Sequence, residues 1–328
     1  MRLSVFAVAA LAAAAAPALT RAAPHAPKLA FPLACEIGRT CEIQHYVDRD
    51  PGPGVKDYRC GRRTYDKHNG VDIRLLDLAA QRRGVDVLAA APGRVARLRD
   101  GVADVSVRTT GLAAVAGQEC GNGVVLDHGD GWETQYCHLA KGSVRVKVGD
   151  LVKAGTPIGR VGLSGETEFP HLHITVRHAG QVVDPFAPSP QPSCGAQPSM
   201  WSPAAARALA YKAGVILNAG FAGAPVSNDS IEAGGIAAPS AASPALVAYM
   251  RVAEPQQGDE LEITLRGPDG ATIAAQRLAP LDRDKAQYFA MVGRKRPPTG
   301  WKSGRYSAEL KVWRSGKEVM QRRIETTL

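Results

Sequence analysis

Glu168-Phe169-Pro170-His171-Leu172-His173-Ile174-Thr175-Val176 is the stretch on which the reading of this chain turns. Beyond Pro170 its β-branched residues and alternating pattern predict a strand. Successive side chains of a strand face opposite ways, so His171 and His173 share one face. Two imidazoles held that way offer a pair of metal ligands, or one ligand beside an acid/base group. A lone His-x-His more often serves packing, so its meaning depends on what else the chain brings to that face.

Upstream lies His68-Asn69-Gly70-Val71-Asp72. Gly70 and the β-branched Val71 argue against a helix, so a loop residue at 68 and a strand residue at 72 would have to converge. Between the two stretches, Gln135-Tyr136-Cys137-His138-Leu139 puts another histidine on a strand of a hairpin that turns at Gly129-Asp130-Gly131. His25, His45, His128 and His178 have no partner at metal spacing and read as surface or structural residues.

In this order, His68-x-x-x-Asp72, Tyr136-x-His138-Leu139 and His171-x-His173 resemble the signature of the lysostaphin/LytM-type peptidoglycan zinc metallopeptidases. Gly70-Val71-Asp72-Ile73, Val87 to Val95 and Val148 to Gly159 also resemble that family, and the likeness covers roughly residues 63–187. The resemblance implies that His68, Asp72 and His173 are the ligands of one Zn²⁺, with His138 and His171 facing the activated water. It implies exported hydrolysis of the peptide crosslinks of bacterial peptidoglycan, with stem peptides or crosslinks as the binding partner. A two-imidazole, one-carboxylate set leaves zinc an open position, as a catalytic site needs. The segment between Asp72 and Val87 is longer than is common in that family. The lead-in before residue 63 could also lie across the cleft.

The rest of the chain bounds this reading. Its 328 residues suffice for two domains with cores. Residues 1–23 read as a signal peptide: Arg2, an apolar Ala-rich run, then small residues at the cleavage region. No later segment has the length of a membrane span, which predicts a mature chain without one, in the periplasm or outside the cell. Six cysteines agree with export and allow fifteen pairings. Cys35 and Cys41 could close a small loop, and Cys120 and Cys137 sit at the outer ends of the predicted hairpin, leaving Cys60 and Cys194. The net charge of +9 suits an anionic polymer or a merely solvated basic surface. No nucleic-acid motif is present, which predicts no nucleic-acid partner.

The fold expected is mainly β. A lead-in at 24–62 precedes an antiparallel catalytic domain at 63–187. A linker with a short helix follows at 188–244, and an immunoglobulin-like β-sandwich at 245–328 closes the chain. Val105–Thr109 is predicted as a strand, Thr64–Arg83 offers no amphipathic helix to draw, and Ser202-Pro203 reads as the start of a helix reaching roughly Ile216. Ala219–Ser243 reads as linker or loose loop. The four tryptophans are scattered and read as core rather than a sugar-stacking platform. The tail carries no chemistry of its own and could serve a wall or envelope protein partner. The alternative to an enzyme is a non-catalytic wall-binding or activator protein that keeps the fold.

Overall fold

The structure, a computed structural model, describes residues 26–189, 194 and 197–328; the expected signal peptide and His25 lie outside them. Ten strands build the first unit: β1 Cys41–His45, β2 Val71–Leu75, β3 Asp86–Leu88, β4 Gly93–Arg99, β5 Asn122–Gly129, β6 Trp132–Leu139, β7 Leu151–Val152, β8 Pro157–Arg160, β9 His171–His178 and β10 Gln181–Val183. Eight of them form an antiparallel sheet in the order β1-β2-β9-β6-β5-β4-β7, with β10 also paired to β9; β3 and β8 form a second, small sheet. One face of the large sheet is apolar: Val71, Ile73, Leu75, Tyr136, Leu172, Ile174 and Val176 are buried in a common core. The other face carries Asp72, His173, Thr175 and Arg177, as the period of two requires. The residues expected as lead-in and linker contribute to the same core, since Leu29, Leu33, Met200, Trp201, Ala205 and Leu209 are buried in it.

Disulfides join Cys35 to Cys41, Cys60 to Cys194 and Cys120 to Cys137, with Cα separations of 6.0, 5.3 and 4.8 Å. These are ordinary spans for the bond.

Several local expectations are corrected. Helix α1, Leu78–Arg83, lies in a stretch expected to hold none; the Asp77 carboxylate accepts from Ala80 N at 2.7 Å, and Gly84 terminates the turn. Residues expected as a strand at 105–109 form instead the short helix α2, Val107–Thr110, because Ser106 caps its first turn and Gly111 ends it at φ 78°. Helix α3 runs only from Pro203 to Ala208, not to Ile216. Val215-Ile216-Leu217 prefers a strand and finds a partner in the strand Ala245–Ala253, so tertiary pairing ends the helix early. The supposed loose loop holds the second half of that first strand and α4, Asn228–Ala233, with a Ser227/Ser230 capping box.

The second unit is a sandwich of antiparallel sheets. One has the order β11-β12-β15 (Val215–Ala222, Ala245–Ala253, Gln287–Lys295); the other is β14-β13-β16-β17 (Thr272–Arg277, Glu260–Arg266, Arg305–Arg314, Lys317–Thr327). Alternate residues Leu246, Ala248, Met250 and Val252 face Leu261, Ile263, Leu265, Tyr306, Leu310 and Val312 across its core.

The units are joined by buried polar contacts. Arg251, fully buried, donates to Leu76 O at 2.8 Å and to Asn218 Oδ1, and pairs with Glu232. Arg74 reaches the same Glu232 carboxylate at 2.9 Å and lies 4.3 Å over the Phe169 ring. Truncating one member of such a group would strand a buried charge. Among the described residues no helix is long and apolar enough to cross a membrane.

Candidate metal centre

Three strands bring the expected residues together. Asp72 on β2 pairs directly with His173 on β9, and Cys137 on β6 pairs with His173 from the other side. His68 arrives from the loop before β2, and its Nε2 lies 3.2 Å from both Asp72 Oδ1 and His173 Nδ1. His173 Nδ1 stands 2.8 Å from the same Asp72 oxygen. The potential ligand atoms of His68, Asp72 and His173 all lie within 4.8 Å of one another.

The tautomers follow from the partners on the far sides of the rings. His68 Nδ1–H donates to the Tyr46 carbonyl at 2.6 Å, which leaves Nε2 as a lone pair. His173 Nε2–H donates to Asn69 Oδ1 at 3.1 Å, which leaves Nδ1 as a lone pair. Thr175 Oγ1 sits 3.0 Å from the same Nε2. With both rings in these neutral tautomers, two nitrogen lone pairs and a carboxylate oxygen face one another. Such a set is repulsive unless a cation lies between, and neutral imidazoles oriented by outer hydrogen bonds are the arrangement a zinc site uses. The donor set fits a divalent cation of this kind.

Gly70 makes the approach possible: a Cβ there would stand 2.5 Å from His173 Nε2 and 2.7 Å from Ile174 O. The Tyr65 ring, half exposed, stacks on His68 with centroids 4.4 Å apart.

His138 reaches the face by a backbone irregularity. It follows Cys137, so strand alternation would send it with Tyr136 into the core. Instead its φ is +60°, rare for a residue with a side chain, and this turns the ring to the groove. Its amide donates to Cys120 O at 2.8 Å, and its Nδ1–H donates to Ser164 O at 2.8 Å, leaving Nε2 open. His171 packs beside it with ring centroids 4.6 Å apart. The Nδ1 of His171 is held by Phe169 O at 2.9 Å and Thr167 Oγ1 at 3.0 Å, and its Nε2 lies 3.5 Å from Asp72 Oδ1.

Burial alone would raise the Asp72 pKa, but the surrounding His68, His171 and His173 outweigh it and hold the carboxyl well below its usual range. Burial lowers His173 against the opposing pull of Asp72. Burial, then the neighbours His171 and His173, hold His138 well below the ordinary histidine value, so its ring is neutral.

A groove of about 380 Å³ opens over the site, lined by Tyr65, Lys67, His68, Glu119, His138, Glu166, His173 and Arg177 among others. Strand β1 of the lead-in does not cross it but pairs along the outer edge of β2.

The structure thus gathers His68, Asp72, His138, His171 and His173. It also gathers a residue that the sequence reading set aside. His45 Nδ1 lies 3.0 Å from Asp72 Oδ2. Burial would lower the His45 pKa, but its hydrogen bonds to Asp72 and Glu254 overcome this and raise it to about 9. No spacing rule flags it, since it lies 27 residues from Asp72 and comes into place by strand pairing. His128, by contrast, spans Pro92 O and Thr134 Oγ1, and His178 stacks on Trp132; both are structural.

Residues 66–185 match the model of Peptidase family M23. Among curated proteins, the chain is similar to the cell division protein DipM of Caulobacter vibrioides, at 41% identity over 81 residues, covering 24% of this chain and 13% of that protein. It is similar to the DD-carboxypeptidase/endopeptidase Mpg of Neisseria meningitidis, at 33% identity over 131 residues, covering 39% and 25%. It is also similar to the peptidoglycan DD-endopeptidase ShyB of Vibrio cholerae, at 41% identity over 64 residues, covering 20% and 15%. The chain therefore spans a quarter or less of the length of these relatives.

Proposed function

We propose that this protein is an exported zinc metalloendopeptidase that hydrolyses peptide crosslinks of bacterial peptidoglycan. The observation that carries the reading is the convergence of the His68 Nε2, His173 Nδ1 and Asp72 Oδ1 lone pairs at 2.8 to 3.2 Å. The M23 match at 66–185 and relatives named as peptidoglycan endopeptidases support the substrate class.

His68, Asp72 and His173 would hold the ion. A zinc ion held there would supply Lewis-acid chemistry toward a peptide carbonyl and a water molecule. The chain's own residues do the rest. His138, with Nδ1 fixed on Ser164 O, presents Nε2 to the groove. One of His138 and His171 would take the proton from the attacking water and return it to the leaving amine, while the other, as a protonated ring, would donate to the developing oxyanion. Tyr65 and Asn69 wall the groove beside the metal ligands, and Lys67, Arg177, Glu119 and Glu166 give it charges of both signs. A peptide crosslink bearing both amines and carboxylates suits such a surface. All five histidine and aspartate positions are filled, which favours an enzyme over a scaffold that keeps only the fold.

The test is mass analysis of fragments released from purified sacculi, with and without chelator. The reading expects new amino termini within the crosslink peptides, lost on chelation and restored by zinc. Release that persists after chelation, or that survives His138→Ala with His171→Ala, contradicts it.

A further inference from the structure

The pairing of β1 with β2 contains one irregularity. Register runs through Ile43 opposite Ile73, then skips Gln44, so that His45 stands opposite Asp72. In unbroken pairing His45 would share the face of Ile43 and enter the core. The bulge turns it instead to the side of Asp72, and bulges commonly re-aim a side chain near a site.

Its ring is held at both ends. Nδ1 lies 3.0 Å from Asp72 Oδ2, whereas His68 and His173 approach the other oxygen, Oδ1. Nε2 lies 3.2 Å from Glu254 Oε1. Glu254 belongs to the sandwich: it follows β12, with a φ of +56° that side-chain-bearing residues seldom adopt. Gln44, the bulged residue, donates to the same Glu254 oxygen at 2.7 Å and to Ala286 O at 3.2 Å. The His45 and Glu254 side chains are only 12% and 13% exposed. A bulge in β1 and a left-handed residue after β12 therefore meet on one line that ends at the metal-site carboxylate.

We propose that His45 is a positioning residue for Asp72 and that Glu254 holds His45 in place, so that the C-terminal sandwich is a working part of the metal centre. This rests on the zinc-site reading given above. With Oδ2 engaged by His45, Asp72 cannot swing about its terminal torsion, and Oδ1 stays directed at His68 and His173. Outer partners of metal ligands act in this way, and losing one costs affinity without removing a ligand.

The experiment is zinc affinity by chelator competition on the whole chain, with the unfolding temperature of the metal-free protein measured beside it. The variants are His45→Ala, His45→Asn, Glu254→Ala and the His45→Ala/Glu254→Ala double variant. His45→Ala is expected to weaken zinc binding by roughly 10- to 100-fold. His45→Asn, whose amide nitrogen overlays Nδ1, restores most of that loss. Glu254→Ala weakens binding severalfold alone and adds nothing to His45→Ala. Variants that melt earlier without metal but bind zinc as tightly as wild type would overturn the proposal, because His45 would then be structural only. Absence of zinc binding in the wild-type chain would overturn the zinc-site reading, and this inference with it.

Discussion

Gly70 and His173 are in contact to the limit of what backbone allows: a Cβ on residue 70 would lie 2.5 Å from His173 Nε2 and 2.6 Å from Cε1. The ring cannot retreat freely, because Asn69 Oδ1 and Thr175 Oγ1 fix that nitrogen. The glycine of His68-Asn69-Gly70-Val71-Asp72 is thus required by the seating of a histidine far along the chain. Its neighbour Asn69 bonds that same ring across 104 positions of sequence.

Gly70→Ala is accordingly expected to displace the His173 ring and weaken zinc binding by at least about tenfold, the scale on which disturbed ligand orientation acts. Chelator competition measures it. Wild-type affinity in that variant would show that the close approach has slack.

Thr167→Val removes one of the groups at His171 Nδ1 while leaving Phe169 O in place. The expected result is a fall in kcat of roughly tenfold with zinc content unchanged, since His171 would lose orientation and no metal ligand would be touched. Steady-state hydrolysis of a crosslinked stem peptide, alongside metal analysis, checks both halves. A loss of zinc would move His171 into the ligand set.

Asp184 offers a pH test away from the metal. Burial pushes its carboxyl up to about 6 from 3.8, against the opposing pull of Phe186 N and Arg49. The folded chain therefore holds a proton that the unfolded chain has released between about pH 4 and 6. The contribution of this group is fully present below pH 4 and is lost as pH rises through 6, a swing of about 3 kcal/mol at most. Asp184→Asn removes that dependence. Its unfolding temperature relative to wild type should climb from pH 4 to pH 7, and a flat or falling difference contradicts the assignment.

The Cys120–Cys137 disulfide closes a span of 17 residues beside the groove. Replacing both cysteines by alanine should cost about 3 kcal/mol, seen as a lower denaturant midpoint. The Glu119-Cys120 segment also supplies the carbonyl that receives the His138 amide. Hydrolysis should therefore fall more than the lost stability explains under conditions where the variant is fully folded.

The site is legible where side chains announce themselves at fixed spacing along a strand or loop. Asp72 and His173 are direct partners on one sheet face, as strand alternation leads one to expect, and His68 joins them from the loop before β2, whereas His138 reaches the groove only through its positive φ. What stays hidden comes from pairing and from backbone irregularity. His45 enters through a bulge that no local pattern encodes, and the +56° φ of Glu254 arises at a junction between units. Strands β13 and β16 of the tail are legible because buried and half-buried residues alternate cleanly along them. Helix α3 is overdrawn from sequence because the alanine-rich run at 203–208 favours helix locally, whereas Val215 to Leu217 is captured by β12. Cap residues Asp77 and Ser106 do signal α1 and α2, yet both helices are too short for periodicity to reveal.

The measurement that bears most directly on this account is the zinc content of the purified full chain, compared with that of Asp72→Ala, after equilibration with excess zinc and removal of the free metal. Three donor atoms facing one point would hold an ion there, so wild type should retain one zinc per chain and the variant essentially none. A wild-type chain that emerges without metal, or an Asp72→Ala chain that keeps it, would contradict the account.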